Sequence, residues 1–473
     1  MTVDYNDFFN IDQSSINKVL SKGLSKGGDY CDLYFEYSTS DTLLLRDTKV
    51  NNCNSDIDFG TGIRVLSKEK TGFAFAETTD IKTLITAAAN AAEIASLDTS
   101  IVEIPTNFKT QHFTNHYPIL DRWKNHGIAE RQKILENIDQ SIRESSELVT
   151  KVTGKISTTN TKIMFYNSLG ETFCDEIPLT SVILSCVMEK GSKRESYITS
   201  RSFRMEYEMI TQELLDEMKD ELIKGCSRLF VSSQPKAGTM PVVMAAGSSG
   251  IFLHEAIGHA FEADFIRKKT SIFSDKLGQK ICRDDINIVD DGTLMHNRGA
   301  MNFDDEGVLS QKTYMVKDGV LNSFLHDRIS AKHFNTAPTG NGRRESFRYY
   351  PIPRMRATYM ENGNSSEEDI IKSVDYGIYV DNFSNGQVQI GAGDFTFFVK
   401  TGYMIENGKL TKPIKDTNII GNGPKALADV LACANNSKID NGTWTCGKDQ
   451  SVAVSQGMPT ILIKSLNVGG VNG

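Results

Sequence analysis

His254-Glu255-Ala256-Ile257-Gly258-His259 sets two imidazoles and a carboxylate on about one and a half turns of a predicted helix. That combination of side chains binds a metal and activates water. The spacing is unusual. In the common H-E-x-x-H form the two His stand four apart and diverge by about 40° around a helix of 3.6 residues per turn; five apart they diverge by about 140° and cannot share one ion. A single π-type turn returns them to one side, and Gly258 is the expected place for it. With eight His in 473 residues, chance supplies roughly 0.01 copies of such a string. A plainer reading stands beside this one: Ile251, Ile257 and Phe261 surround His254 at helical spacing, and a histidine on such a face is commonly a satisfied core residue. A second His and a Glu within reach make that burial costly without a partner.

Working outward, Val242-Val243-Met244-Ala245 reads as a short buried strand, Ser248 or Ser249 as a cap, and 250–265 as the helix carrying the His pair. Upstream, 232–241 holds Pro235, Gly238 and Pro241 and reads as an interdomain linker. Downstream, Gly386–Ile390 and Phe395–Lys400 alternate as strands and a helix is expected near 424–434, so 242–473 is a β-rich domain. The first half, 1–231, opens with a helix near 12–25 and strands at 30–37 and 42–46. A hairpin follows at 62–66 and 71–76, then helices at 80–97 and 126–146, strands across 147–207 and a helix at 210–229. The fold class is α+β: an N-terminal α/β layer domain with an antiparallel sheet, and a β-rich C-terminal domain carrying the metal-site helix.

At 473 residues the chain exceeds one core, which agrees with two domains. A net charge of −8 speaks against direct nucleic-acid binding. The acidic stretch Met1–Asp7 lacks the layout of a secretion signal, and no span reaches 18 apolar residues, so no membrane crossing is expected and the expected location is cytoplasmic. Eight Cys without a C-x-x-C pair suit a reducing compartment. Cys446 stands apart: Gly442–Asp449 is a polar, glycine-flanked loop in which a sulfur has no evident core to fill.

Other motifs weigh less. Gly421-Asn422-Gly423-Pro424-Lys425-Ala426 imitates a dinucleotide fingerprint without its βαβ unit, and Gly247-Ser248-Ser249-Gly250 lacks one residue of G-x-S-x-G. The acidic pairs at 284–285 and 290–291 and the run 304–306 lack the order of a calcium loop and read as solvated turns. Gly340–Arg348, with Arg343 and Arg344, reads as a surface loop with ion pairs or as a holder of a substrate carboxylate or carbonyl.

His254 to Asp264, with Gly340-Asn341-Gly342-Arg343-Arg344, Gly421-Asn422-Gly423-Pro424, Cys446-Gly447-Lys448-Asp449 and Val468-Gly469-Gly470 following in order, resembles the TldD/PmbA metallopeptidases, long labelled modulators of DNA gyrase. The resemblance implies zinc (Zn2+) on His254, His259 and Cys446, as in the active TldD-type subunit, with Glu255 as general base beside the water that the ion activates. Glu262 would orient a ligand or be the third ligand itself. It further implies a dimer around an enclosed chamber, either a homodimer or a heterodimer with a metal-free PmbA/TldE-type subunit. Unfolded or short peptides and peptide precursors would enter and add as a strand to a sheet edge. A binding or gyrase-regulating module with a structural metal is the alternative.

Overall fold

The computed structural model describes residues 4–96, 103–105 and 107–470; Met1–Val3, at the head of the acidic terminus, and Leu97, at the end of the Ala-rich stretch, lie outside them. The first half is built on one sheet. Strands β1 (Tyr30–Arg46), β2 (Lys49–Ser67), β3 (Lys70–Ala76), β4 (Lys109–Thr110), β5 (Val149–Asn167), β6 (Glu171–Lys190) and β7 (Lys193–Phe203) lie in the order β3-β2-β1-β5-β6-β4, with β7 also on β6. Only the short β4 runs parallel to its neighbour. The two strands expected at 30–37 and 42–46 are one. The polar residues between them are not a turn, because β5 answers them in kind: Ser38 and Thr161 hydroxyls bond at 2.9 Å, Thr42 and Ser157 at 3.2 Å.

Alternation along β1 sorts the layers. Cys31, Leu33, Phe35, Leu43 and Leu45 share one face. The helices Gln13–Leu24 and Ile81–Ala95 pack over its first part, Ile128–Glu144 and Gln212–Leu229 over its second. Tyr34 points the other way and joins Phe165 and Phe173 in a cluster with Phe303 and Phe347 of the second half. Arg64, fully buried, bridges the halves: its Nε donates to Asp32 at 2.9 Å and its Nη1 to Glu306 at 2.5 Å.

In the second half, Tyr376–Gln389, Gly238–Met244, Ile461–Val468, Thr417–Asn422, Asp394–Glu406 and Lys409–Ile414 are successive neighbours in one sheet. A further pairing of Tyr376–Gln389 with Asp394–Glu406 closes the first five into a ring. A second sheet orders Val320–Leu321, Lys312–Lys317, Ile288–Asp291, Ala357–Met360, Ser455–Met458 and Lys438–Asp440. Residues from both sheets form one core around the segment 250–261.

Several expectations need correction. The strand Gly238–Met244 starts inside the stretch read as linker, and Pro241 is tolerated there because the register against Ile461–Val468 slips at that point. The helix expected near 424–434 is only Gly423–Ala428; Val430–Cys433 is a strand on Ile461–Val468, where tertiary pairing overrides helix propensity. Neither Ser248 nor Ser249 caps the next helix by its side chain; Ser248 Oγ donates to the Asp381 carbonyl instead. Of the acidic clusters only 284–285 reaches solvent. Asp290, Asp291, Asp304, Asp305 and Glu306 are buried, and Asp290 accepts from Arg356, Thr358 and Asn341. Interior arginines and amides, remote in sequence, satisfy carboxylates that look like turn residues.

Candidate metal centre

The segment that begins after Gly247 is apolar on almost every side, so it is buried rather than laid on a surface. It starts as an α-helix, Gly250–Leu253, passes into a π-turn over His254–Gly258, then tightens into a 3₁₀ turn, His259–Phe261. The expected π-turn is therefore present at the expected residue. The helix does not continue to 265, because Glu262 has extended ψ (123°) and Ala263–Arg267 is a separate short helix. Close packing selects the glycines. A Cβ on Gly250 would lie 2.4 Å from the Gly457 nitrogen, and one on Gly258 would lie 2.2 Å from Met355 Sδ. Gly423, from the imitation nucleotide fingerprint, packs against the same turn: its Cβ would meet the Ala256 carbonyl oxygen at 2.2 Å. Its role is contact with the π-turn.

The His254 and His259 rings meet edge to face, with centroids 5.1 Å apart and planes at 81°. Cys446 reaches them from a hairpin, Thr445–Lys448 against Gln450–Ala453, and not from the polar loop its neighbours suggest. Arg354 anchors that hairpin by donating to the carbonyls of Cys446 (2.6 Å) and Gln450 (2.9 Å). Cys446 Sγ lies 3.3 Å from His259 Nε2, and the donor atoms of His254, His259 and Cys446 all fall within 4.8 Å of one another. Ligand atoms of a tetrahedral site with bonds of about 2.0–2.3 Å stand about 3.3–3.6 Å apart, so small side-chain motions bring the three onto one ion. His254 Nδ1 is buried without a hydrogen-bond partner, a cost that a bound cation can remove when the imidazole turns to it. All three side chains are buried, and Glu255, on the same π-turn, is half-buried.

The electrostatics of the metal-free site favour the ligating form of the sulfur and an extra proton on His259, which a bound cation would displace. Burial opposes ionisation of Cys446, but His254 and His259 outweigh it and draw the thiol down to about 4, so the sulfur is a thiolate at neutral pH. Burial likewise works against charging His259, yet Glu262 and Cys446 raise it well above the usual imidazole value. Glu262 Oε2 stands 3.0 Å from His259 Nδ1, which leaves Nε2 facing the sulfur. Glu262 is thus an orienting carboxylate in the geometry, not a third donor. Although fully buried, it is held down to about 2 by Lys448, His259 and Arg354.

Arg343 and Arg344 are interior, not surface. Arg343 donates to the carbonyls of Met355 (2.6 Å) and Ala453 (2.9 Å), and Arg344 to the carbonyl of Asp305 (3.0 Å). Arg343 thereby ties Ala453 of the hairpin to Met355. Sequence reading missed Lys448, Asp264 and Arg354; for Lys448 a signal exists, since it stands two residues after Cys446 and shares its face if the stretch is a strand.

Comparison with known proteins agrees with this architecture. Profiles described as PmbA/TldA metallopeptidase domain 1, central domain and C-terminal domain match residues 31–95, 121–228 and 237–470. A Haemophilus influenzae protein named metalloprotease TldD homolog is 35% identical over 94% of this chain and 93% of its own. One from Saccharolobus solfataricus, named zinc metalloprotease TldD homolog, is 33% identical over 54% of this chain and 57% of its own. A crystal structure from Thermotoga maritima, described as a modulator of a DNA gyrase, shares the fold with a TM-score of 0.79 at 19% identity, covering 96% of this chain and 99% of that one. The first two profiles fall on the single seven-stranded sheet, and the third holds all three candidate donors. Matched along nearly its whole length, the chain belongs to the PmbA/TldA metallopeptidase family.

Proposed function

We propose that this metallopeptidase family member is a zinc-dependent peptidase of unfolded or short peptides and peptide precursors, with His254, His259 and Cys446 holding zinc and Glu255 as general base. The observation that carries the reading is the convergence of two imidazoles and one thiol within 4.8 Å, drawn from segments 187 residues apart. Two nitrogens and a thiolate suit zinc among divalent ions, and one relative's name includes zinc. Among the described residues the cluster offers three donors, the count of catalytic sites that keep a fourth position open; a fourth would have favoured the structural-metal alternative.

Zinc, when bound, supplies Lewis-acid polarisation of a carbonyl and lowers the pKa of water. Glu255 accepts a proton from the attacking water and returns it to the departing amine. Glu262 holds His259 with its Nδ1 hydrogen pointing away from the site, and Cys446 lowers the charge at the centre by its thiolate. The catalytic unit in this reading is the C-terminal domain, 242–473 extended back to the start of its strand at Gly238, joined through the remainder of 232–241 to 1–231. The chain works as a homodimer, or as a heterodimer with a metal-free PmbA/TldE-type subunit, whose chamber admits extended peptide. The eight free cysteines support a reducing, cytoplasmic setting; among the described residues no helix is long and apolar enough to cross a membrane.

The test measures zinc content and cleavage of an unstructured peptide for the native chain, Glu255→Ala and Cys446→Ser. Glu255→Ala keeps zinc and loses cleavage by roughly 10²–10⁴-fold, the range of general-base catalysis. Cys446→Ser loses zinc. Equal cleavage by all three removes the proposal.

A further inference from the structure

Two residues of one strand face two residues of the His segment. Cys446 and Lys448 lie two apart on Thr445–Lys448 and so project to the same side. Cys446 Sγ approaches His259 Nε2 at 3.3 Å, while Lys448 Nζ approaches Glu262 Oε2 at 3.0 Å and Asp264 Oδ1 at 2.7 Å. The Glu262 oxygen that meets Lys448 is the one that meets His259 Nδ1. A single carboxylate oxygen therefore joins the ring of one proposed ligand to the strand that delivers another. The Lys448 side chain is 6% exposed and Glu262 not at all. The ammonium also donates to the Pro353 carbonyl at 3.0 Å and lies 4.4 Å from the Phe265 ring centroid, so each of its three hydrogens has a partner. A flexible surface lysine has none of this enclosure.

The local charges balance. Glu262 and Asp264 are matched by Lys448 and Arg354, whose Nε is 3.9 Å from Glu262 Oε1. Arg354 also holds the Cys446 carbonyl, so Lys448 and Arg354 both act on the hairpin. Neither the π-turn nor the hairpin contains the whole donor set, and their register against each other sets the sulfur-to-nitrogen distance.

We propose that Lys448 is a positioning residue, which latches the Cys446 strand to the His259 turn through Glu262 and so holds the three donors in register before a metal arrives. The inference rests on the reading that these donors hold zinc. Its test uses the full chain, stripped of metal, as native, Lys448→Gln and Lys448→Arg. Zinc affinity is read by competition with a chromophoric chelator, and the donor set by the thiolate-to-cobalt charge-transfer band after cobalt substitution. Lys448→Gln should weaken zinc roughly 10–100-fold, as loss of an outer-shell partner does, and should weaken the thiolate band. Lys448→Arg, which keeps the charge and reach, should recover most of both. If Lys448→Gln does not fold, Glu262→Gln carries the decision, because it keeps an acceptor for His259 but removes the ion pair; the same two losses are expected. Native zinc affinity together with a native cobalt spectrum in the folded variant overturns the latch and leaves the zinc reading intact. A native chain that binds no zinc overturns the zinc reading and the latch with it.

Discussion

Gly258 and Gly447 each adjoin a proposed ligand, one just before His259 and the other just after Cys446, and the structure gives them opposite tolerances. A Cβ at Gly258 would stand 2.2 Å from Met355 Sδ and 3.2 Å from the Leu253 carbonyl oxygen. Carbon and sulfur rest at about 3.5–4 Å, so the overlap is roughly 1.5 Å. Met355 is fully buried, and its carbonyl is gripped by Arg343 at 2.6 Å. Its backbone has little freedom to retreat, which leaves the Met355 side chain or the π-turn to move. Overpacking of this kind costs about 1–3 kcal/mol. At Gly447 an added Cβ meets nothing within 4 Å, so Gly447→Ala should change stability by no more than about 0.5 kcal/mol. Urea unfolding followed by fluorescence measures both, because one of the two tryptophans, Trp123, lies in the first half and the other, Trp444, beside the hairpin. Gly258→Ala should lower the unfolding midpoint and weaken zinc; Gly447→Ala should do neither. Adding Met355→Ala to Gly258→Ala should cost less than the sum of the single changes, since the sulfur that clashes is gone. A silent Gly258→Ala, or an equally damaging Gly447→Ala, would refute the claim that contact with Met355 fixes the π-turn.

Two further expectations follow from buried charge. Burial raises the Glu36 carboxyl to about 8 against the opposing hydrogen bond from the Phe347 N–H, so between about pH 4.5 and 8 the unfolded chain has released a proton that the native chain keeps. Native stability should fall across that window, by up to about 5 kcal/mol at pH 8. Glu36→Gln, still able to accept from Phe347, should therefore be the more stable protein at pH 8 and match the native one below pH 4.5; parallel pH profiles in urea would contradict this. Arg64→Met removes the nearest cation from the buried carboxylates of Asp32 and Glu306, leaving Arg344 3.6 Å from Asp32 and the Arg328 N–H on Glu306, and should cost about 3 kcal/mol in the same assay, with Glu306 linking the loss to contact between the halves. A loss below about 1 kcal/mol, the scale of an exposed pair, would show that water reaches the site.

What the sequence disclosed follows the range of each interaction. The π-turn was legible because angular spacing on a helix is a local property: two His five apart have one economical way to meet. For Cys446 the neighbours show only a sulfur out of place among glycine and threonine, the vocabulary of loops, and not its partners, the nearer of which stands 187 residues earlier. The resemblance to a known family supplied what local chemistry could not. Arg343, Arg344 and the acids at 290–291 and 304–306 were misplaced for the same reason in reverse. Charged residues beside glycines read as surface, and only partners such as Arg356 for Asp290 or Arg64 for Glu306, 66 and 242 residues away, allow them inside.

The unusual spacing and the glycine inside it then become one constraint. An α-helical His254–His259 pair would point apart, so the extra residue must be absorbed within the turn. The turn can lie against Met355 only where residue 258 has no side chain, and Met355 is held in turn by Arg343, which also grips Ala453 of the hairpin that presents Cys446. The spacing of the His pair, the bare residue before His259 and the buried arginine therefore act on a single distance, that between the imidazoles and the sulfur. An H-E-x-x-H variant made by deleting Ala256 would satisfy the helix but withdraw the turn from these contacts, and it should bind zinc more weakly than the native chain despite matching the commoner motif.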